Sequence, residues 1–259
     1  MFMKVYKQPV HYELAFSFFD PKVQVDAFER IIEKFSKVKV RRFLDVCCGS
    51  SLQLRELAKR GYGAVGLDLS REMLDYLEKK AGEEAVRIRT VQADMANFRL
   101  EEKVDFAFIM MGSLCVKSNE EFLSHLGSVA SCLKSGGLYF IQNWCVDWTR
   151  RDAKQNWIME RDGIRVETTY EWVLKDVMGQ IGTERLTLDV DDKGERKKFV
   201  DEEDMKIIFP QEFKLLVKLS GKFEFLGWFE GTESTWFLDK PLEKAETLSN
   251  INMVLLRRK

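Results

Sequence analysis

The stretch that most constrains this chain is Phe43-Leu44-Asp45-Val46-Cys47-Cys48-Gly49-Ser50-Ser51, where an apolar run stops at a small-residue turn and a helical pattern begins at once. A strand feeding a tight turn and then a helix opens a doubly wound α/β fold, whose ligand crevice lies at the carboxyl ends of its strands. Asp68 ends the next apolar run, Gly63-Ala64-Val65-Gly66-Leu67, where such folds keep a ribose-binding acid. Asp94 closes a third run, Val86-Arg87-Ile88-Arg89-Thr90-Val91-Gln92-Ala93. Three acids at three successive strand ends converge on one edge of a parallel sheet.

The pattern around these acids alternates strand and helix. Strands are predicted over 41–46, 63–68, 86–93 and 104–110, with helices from Ser51 to Arg60 and from Arg71 to Ala81. That alternation calls for a mostly parallel sheet covered on both faces. Upstream, Val25, Phe28, Ile32 and Phe35 recur at helical spacing and predict a helix from about Gln24 to Lys37, after an aromatic segment that runs from His11 to Pro21. Ser118 and Glu121 form a capping box for a helix whose apolar face is Phe122, Leu126, Val129, Ala130 and Leu133. Gly136-Gly137 is read as its stop, and Leu138-Tyr139-Phe140-Ile141 as the fifth strand.

After Asn143 the period changes to two. Ile164, Val166, Thr168, Tyr170, Trp172 and Leu174 alternate with polar residues, and Leu186, Leu188 and Val190 repeat the pattern before the turn Asp191-Asp192-Lys193-Gly194. A third strand is expected between that turn and Pro210. Residues 144–209 are therefore read as an inserted antiparallel cap, too long for a plain connection. Pro210 starts a helix that Gly221 ends, and strands near 223–230 and 252–258 complete the main domain, residues 1–143 and 210–259.

The loop, the acids and their order resemble the class I S-adenosylmethionine-dependent methyltransferases of the small-molecule type. In that family an acid-x-Gly-x-Gly-x-Gly loop follows the first strand, an acid at the end of the second binds the ribose hydroxyls, and one after the third faces the adenine. Asp45, Gly49, Asp68 and Asp94 match, whereas Cys47 and Ser51 stand in place of the first and third glycines. The resemblance implies a seven-stranded Rossmann-like sheet, with S-adenosyl-L-methionine as cofactor. It places Tyr12, Asp45, Cys47, Gly49, Asp68, Leu69, Met73, Asp94, Met95, Met110 and Ser113 around that cofactor, and it makes the aromatic N-terminal segment a lid. The Asn/Asp-Pro-Pro-aromatic tetrapeptide of amino-methyltransferases acting on nucleic-acid bases or protein glutamine is absent, so a small-molecule acceptor with a nitrogen, oxygen or sulfur nucleophile is expected. A non-catalytic sensor or partner subunit that binds the same cofactor stays open, as does a nicotinamide-dependent dehydrogenase, which Cys47 and Ser51 disfavour.

Charge and cysteine usage bear on partners and compartment. The 259 residues carry 41 basic and 42 acidic side chains, a net charge of -1, which gives no broad attraction to nucleic acid or anionic membrane. Five cysteines, Cys47, Cys48, Cys115, Cys132 and Cys145, contain no C-x-x-C pair and cannot all be matched in disulfides, which points to a reducing cytoplasm. No secretory leader is expected at the start of the chain and no membrane span anywhere in it. No pair of acids and histidines has metal-ligand spacing, so no metal is expected. Of the two histidines, His125 reads as a surface residue and His11, in the lid, as a weak candidate base; no catalytic residue is assigned. Trp144, Trp148, Trp157 and Trp172 gather around the insertion, either lining a pocket or packing the small sheet onto the main domain.

Overall fold

The structure, a computed structural model, describes residues 4–142, 151–231, 236–241 and 252–259. A 3₁₀ turn (Val5–Lys7) and two helices, α1 (Pro9–Ala15) and α2 (Pro21–Phe35), lead into β1 (Arg42–Val46), α3 (Leu52–Lys59), β2 (Gly63–Asp68), α4 (Arg71–Glu83), β3 (Ile88–Gln92), β4 (Val104–Ile109), α5 (Asn119–Cys132) and β5 (Leu133–Gln142). Four long strands follow, β6 (Asp152–Arg161), β7 (Ile164–Asp176), β8 (Ile181–Asp192) and β9 (Glu195–Lys206). The chain then returns through α6 (Pro210–Ser220), β10 (Phe223–Gly231), β11 (Trp236–Pro241) and β12 (Asn252–Arg258).

The main sheet has the order β11-β10-β12-β5-β4-β1-β2-β3. Strands β3, β2, β1, β4 and β5 run parallel, β12 lies antiparallel to β5, and β10, antiparallel to β12, runs in the same direction as the five parallel strands, which gives the seven expected strands. The short β11 adds an eighth at the edge. Alternate residues of each strand feed two cores. Leu44, Val46, Ala107, Ile109, Tyr139 and Ile141 face α5 and α6, while Phe43, Phe106, Phe108, Leu138 and Phe140 face α2, α3 and α4. Strand order reverses between β1 and β4, which puts the crevice of a doubly wound fold at their carboxyl ends.

Several local expectations shift for identifiable reasons. Helix α2 begins at Pro21 rather than near Gln24, because Asp20 caps it by accepting the Lys22 amide at 2.9 Å and a proline at the first helical position loses no bond. Helix α5 ends at Cys132, before the glycine pair. Gly136 and Gly137 lie within β5, where a Cβ on Gly137 would stand 2.6 Å from the Asp105 carbonyl oxygen, so the pair serves close strand approach and not helix termination. The insertion holds four strands instead of three, in the order β6-β7-β8-β9. Two of its turns are two-residue loops with both residues left-handed, Asp162 (φ 54°) with Gly163 (φ 80°) and Lys193 (φ 53°) with Gly194 (φ 94°), the geometry that matches strand twist.

Candidate functional site

The loop after β1 is built from alternating left-handed residues. Cys47, Gly49 and Ser51 have φ of 58°, 51° and 30°, at the three positions where the resembling family has glycine. A side chain at such an angle costs about 1–3 kcal/mol, so neighbouring contacts must hold it there. Ser51 is held by two hydrogen bonds: its hydroxyl donates to Asp45 Oδ2 at 2.6 Å and accepts the Leu54 amide at 3.1 Å, capping α3. The Cys47 sulfur lies 3.5 Å from that of Met95. Asp45 is buried, and burial pushes its carboxyl well above the usual carboxylate range while the Ser51 hydroxyl pulls it back. Burial likewise pushes the Cys47 and Cys48 thiols well up, which keeps them protonated and unreactive.

Asp68 ties this loop to the next strand. Its Oδ2 accepts the Gly49 amide at 2.8 Å and its Oδ1 the Ser70 amide at 2.8 Å. A carboxylate has about four lone-pair directions, so acceptor capacity remains beside these two amides and the neighbouring Leu69 amide. Burial raises the Asp68 pKa, and the backbone amides oppose that shift. Ser70, not Asp68, caps α4, accepting the Met73 amide at 3.2 Å, and Met73 itself is fully buried. Leu69 is 68% exposed beside Asp68, an apolar surface without cover. Asp94 is exposed in a turn and accepts the Ala96 amide at 2.8 Å through Oδ1. Asp45, Asp68 and Asp94 all act electrostatically on Cys47, so the three strand-end acids do surround one loop.

The N-terminal segment closes over the loop. A Cβ built on Gly49 would lie 4.0 Å from Tyr12 Cε1, so the bare glycine leaves a slot under the tyrosine ring. Tyr12 packs on Tyr6 at 5.3 Å and on Phe16 at 4.7 Å between ring centroids. Helix α1 is pinned from below: Glu13, buried, bonds Arg55 Nη1 at 2.8 Å and the Tyr76 hydroxyl at 3.1 Å. It is held from above by the inserted sheet, since Leu14, Ala15, Val166, Leu186, Leu188 and Val190 form one core. Trp157 donates its Nε1 hydrogen to the Ala15 carbonyl at 2.6 Å, and His11 Nε2 lies 3.7 Å from Asp192 Oδ2. His11 thus faces the inserted sheet.

Beyond β4 the chain turns through Met111 (φ 57°) and Gly112 (φ 75°), with the Ser113 amide on the Met110 carbonyl at 3.1 Å and the Cys115 thiol donating to the Gly112 carbonyl at 3.5 Å. Met110 is buried, and the Met111 amide is held by Gln142 Oε1 at 3.2 Å. Cys115 faces a small, partly open cavity of about 30 Å³, room for a single ammonium-sized group, lined also by Tyr6, Glu184, Leu186 and Met205. Glu184 carries an unexpected property there. Burial, reinforced by the neighbouring Glu203 charge, pushes its carboxyl up to about 7, against a hydrogen bond from Tyr170. The sequence signal for it existed: Glu184 continues the inward period of Leu186, Leu188 and Val190 by one step.

His125 is not at the surface. It is fully buried, and because the Met95 carbonyl 3.0 Å from Nδ1 can only accept, Nδ1 carries the proton and Nε2 accepts from the Tyr139 hydroxyl at 2.7 Å. Burial lowers its pKa to about 4. Trp172 is 1% exposed and stacks over Gly182, where a Cβ would meet its Nε1 at 2.6 Å; this is a packing role. Asn143, Trp144, Cys145 and Trp148 lie outside the described residues. Among the described residues no group of histidine, cysteine and acid could hold a metal ion, and no helix is long and apolar enough to cross a membrane.

Residues 43–137 match the protein family described as "Methyltransferase domain". That match runs from β1 into β5, so it spans the loop, Asp68 and Asp94 but neither α1 nor the inserted sheet. The dTDP-3-amino-3,4,6-trideoxy-alpha-D-glucopyranose N,N-dimethyltransferase of Streptomyces venezuelae is 30% identical over 125 residues, covering 46% of this chain and 50% of that protein. The chain thus matches about half the length of this relative. An S-adenosylmethionine-dependent methyltransferase from Clostridium acetobutylicum superposes with a TM-score of 0.74 at 18% identity, over 96% of both chains. Streptomyces venezuelae DesVI does so at 0.74 and 21% identity, over 96% of this chain and 95% of its own. The shared fold therefore extends over the antiparallel sheet β6-β7-β8-β9 as well as the main sheet.

Proposed function

We propose that the chain binds S-adenosylmethionine at the edge formed by Asp45, Cys47, Gly49, Asp68 and Asp94, and transfers its methyl group to a nitrogen, oxygen or sulfur of a small molecule. The observation that carries this reading is the Asp68 carboxylate at the end of β2, fixed by the Gly49 and Ser70 amides yet with acceptor capacity to spare. That arrangement suits a pair of ribose hydroxyls. The slot between Gly49 and Tyr12 fits a ligand that approaches the backbone closely, and the uncovered Leu69 fits a planar base. When bound, the cofactor supplies a methyl group already activated on a sulfonium. The chain then has to align the acceptor and exclude water, which suits the pinned lid and the sheet above it.

In this reading residues 144–209 form a cap that chooses the acceptor. Support comes from the packing of β7 and β8 on α1, which puts the sheet over the lid. The name of the Streptomyces venezuelae relative, an N,N-dimethyltransferase of an amino sugar nucleotide, favours nitrogen. The described cysteines are free, which fits a reducing compartment such as the cytoplasm. Calorimetric titration with S-adenosylhomocysteine, run beside NADH, tests the donor site. Saturable one-to-one binding of S-adenosylhomocysteine alone is expected, and binding of NADH alone would overturn the reading.

A further inference from the structure

Resting on the methyl-transfer reading, the geometry points to Glu184 as the acceptor-side base, a carboxylate that receives the ammonium group of an amine acceptor and takes one of its protons before the nitrogen is methylated. Four observations lead there. Glu184 lines the pocket shared by Tyr6 of the lid and Cys115 of the loop after β4. Tyr6 packs on Tyr12 at 5.3 Å between ring centroids, and Tyr12 lies over Gly49, so the two tyrosines connect the pocket to the proposed cofactor loop.

The other acids in the pocket already have partners. Asp201 accepts the Val5 amide at 2.6 Å, Glu202 pairs with Arg185 Nε at 2.7 Å, and Glu203 lies 3.3 Å from Lys117 Nζ. Glu184 has no cation among the described residues, only Tyr170 and the like charge of Glu203 beside it. The groups that face it are Tyr170 on β7, Glu203 on β9, Tyr6 and Tyr12 from the lid and Cys115 from the loop after β4, so the pocket offers a negative charge that lacks a positive one. Leu186 and Met205 supply apolar wall.

The chemistry balances with the groups present. An amine arrives protonated, and an N–H bond must break before nitrogen has a lone pair to donate. The proton moves to a Glu184 oxygen, the bonding pair stays on nitrogen, and the carboxylate becomes a neutral carboxylic acid. After the product leaves, the proton returns to solvent through the pocket mouth. A base works best when its pKa lies near the working pH, and burial tunes Glu184 to that range. An alcohol can only donate a hydrogen bond to this carboxylate, without the charge attraction that an ammonium brings, so the residue favours nitrogen over oxygen.

The test uses the wild-type chain, Glu184→Gln and Glu184→Asp, with four primary amines (ethanolamine, cyclohexylamine, phenethylamine and glucosamine) beside ethylene glycol, cyclohexanol, phenylethanol and glucose. Binding to protein loaded with S-adenosylhomocysteine and methyl transfer from S-adenosylmethionine are both measured from pH 6 to 9. Carbon-13 NMR of glutamate-labelled protein follows the Glu184 carboxyl, assigned by its loss in Glu184→Gln. The expected result is at least one amine that binds, is methylated, and lowers the Glu184 titration midpoint. For that amine Glu184→Gln should lose tenfold or more in kcat/KM, mostly in kcat, together with the acid limb of the pH profile, and Glu184→Asp should restore part of it. Values for Glu184→Gln within threefold of wild type with an unchanged pH profile would overturn the assignment, as would preference for the alcohols or binding of no amine. S-adenosylhomocysteine affinity in the same samples separates the two levels. If it is retained, only the Glu184 proposal fails; if wild type lacks it, the donor-site reading fails as well.

Discussion

Removing the Asp68 carboxylate should separate cofactor binding from folding. In the structure each carboxylate oxygen accepts one backbone amide, from Gly49 and from Ser70. The remaining directions are those assigned to the two ribose hydroxyls. A hydrogen bond to a charged group contributes about 1.5–3 kcal/mol, so Asp68→Ala should lose about 3–6 kcal/mol of binding, two to four decades in Kd. Asp68→Asn is more informative because it keeps the shape. Its single carbonyl oxygen can satisfy only one of the two amides, and its NH₂ must face the other donor, so the loop should loosen even without ligand. The assay is calorimetric titration with S-adenosylhomocysteine, with circular dichroism and thermal melts to confirm folding. Asp75→Ala serves as control, since Asp75 is exposed and bonds only Arg71. A folded Asp68→Ala protein that binds within threefold of wild type would refute the reasoning.

Other perturbations test the scaffold. Gly66→Ala should cost about 1–3 kcal/mol, because the new methyl would stand 2.8 Å from the Cys48 sulfur and 3.1 Å from both Leu54 and Leu77; a denaturant midpoint equal to wild type would contradict it. Ser51→Ala removes both the α3 cap and the partner of buried Asp45, so urea denaturation should show a loss of about 2–4 kcal/mol, whereas a loss under 0.5 kcal/mol would mean the loop is held otherwise. His125 sets an acid limit: its folded pKa of about 4 lies below the ordinary 6.5, so the unfolded chain takes up a proton first as pH falls. Its contribution is present above pH 6.5 and is lost as pH falls toward 4, about 2 kcal/mol between pH 7 and 5. In His125→Gln the drop in stability between those pH values should shrink by that amount, and an unchanged slope would show that other groups carry it.

Most of the main domain was legible because its rules are local. The run that became β2 ends at Asp68 as read, α6 starts at Pro210 and ends before Gly221, and the three acids surround one loop. What escaped depends on distant partners. His125 sits one turn from Phe122 and Val129 on the apolar face of α5, yet the groups that satisfy it, the Met95 carbonyl and the Tyr139 hydroxyl, lie 30 and 14 residues away. Glycines 136 and 137 looked like a helix stop because nothing in the sequence shows the Asp105 backbone pressing on them. The missed first strand of the insertion did carry a signal, the Asp162-Gly163 turn that pairs Arg161 with Ile164. Glu184 was hidden differently: an acid in an alternating strand reads as solvent-facing until its neighbours show that its face is covered by the lid.

The central claim is methyl transfer to a small molecule, and label transfer tests it most directly. The purified chain is incubated with S-adenosylmethionine labelled in its methyl group, in parallel with a metabolite extract and with total nucleic acid and protein. The account predicts label in low-molecular-weight products only, attached to nitrogen, and a signal that falls at least a hundredfold with Asp68→Ala. Label confined to macromolecules, or no transfer at all from a chain that binds the donor, would contradict it.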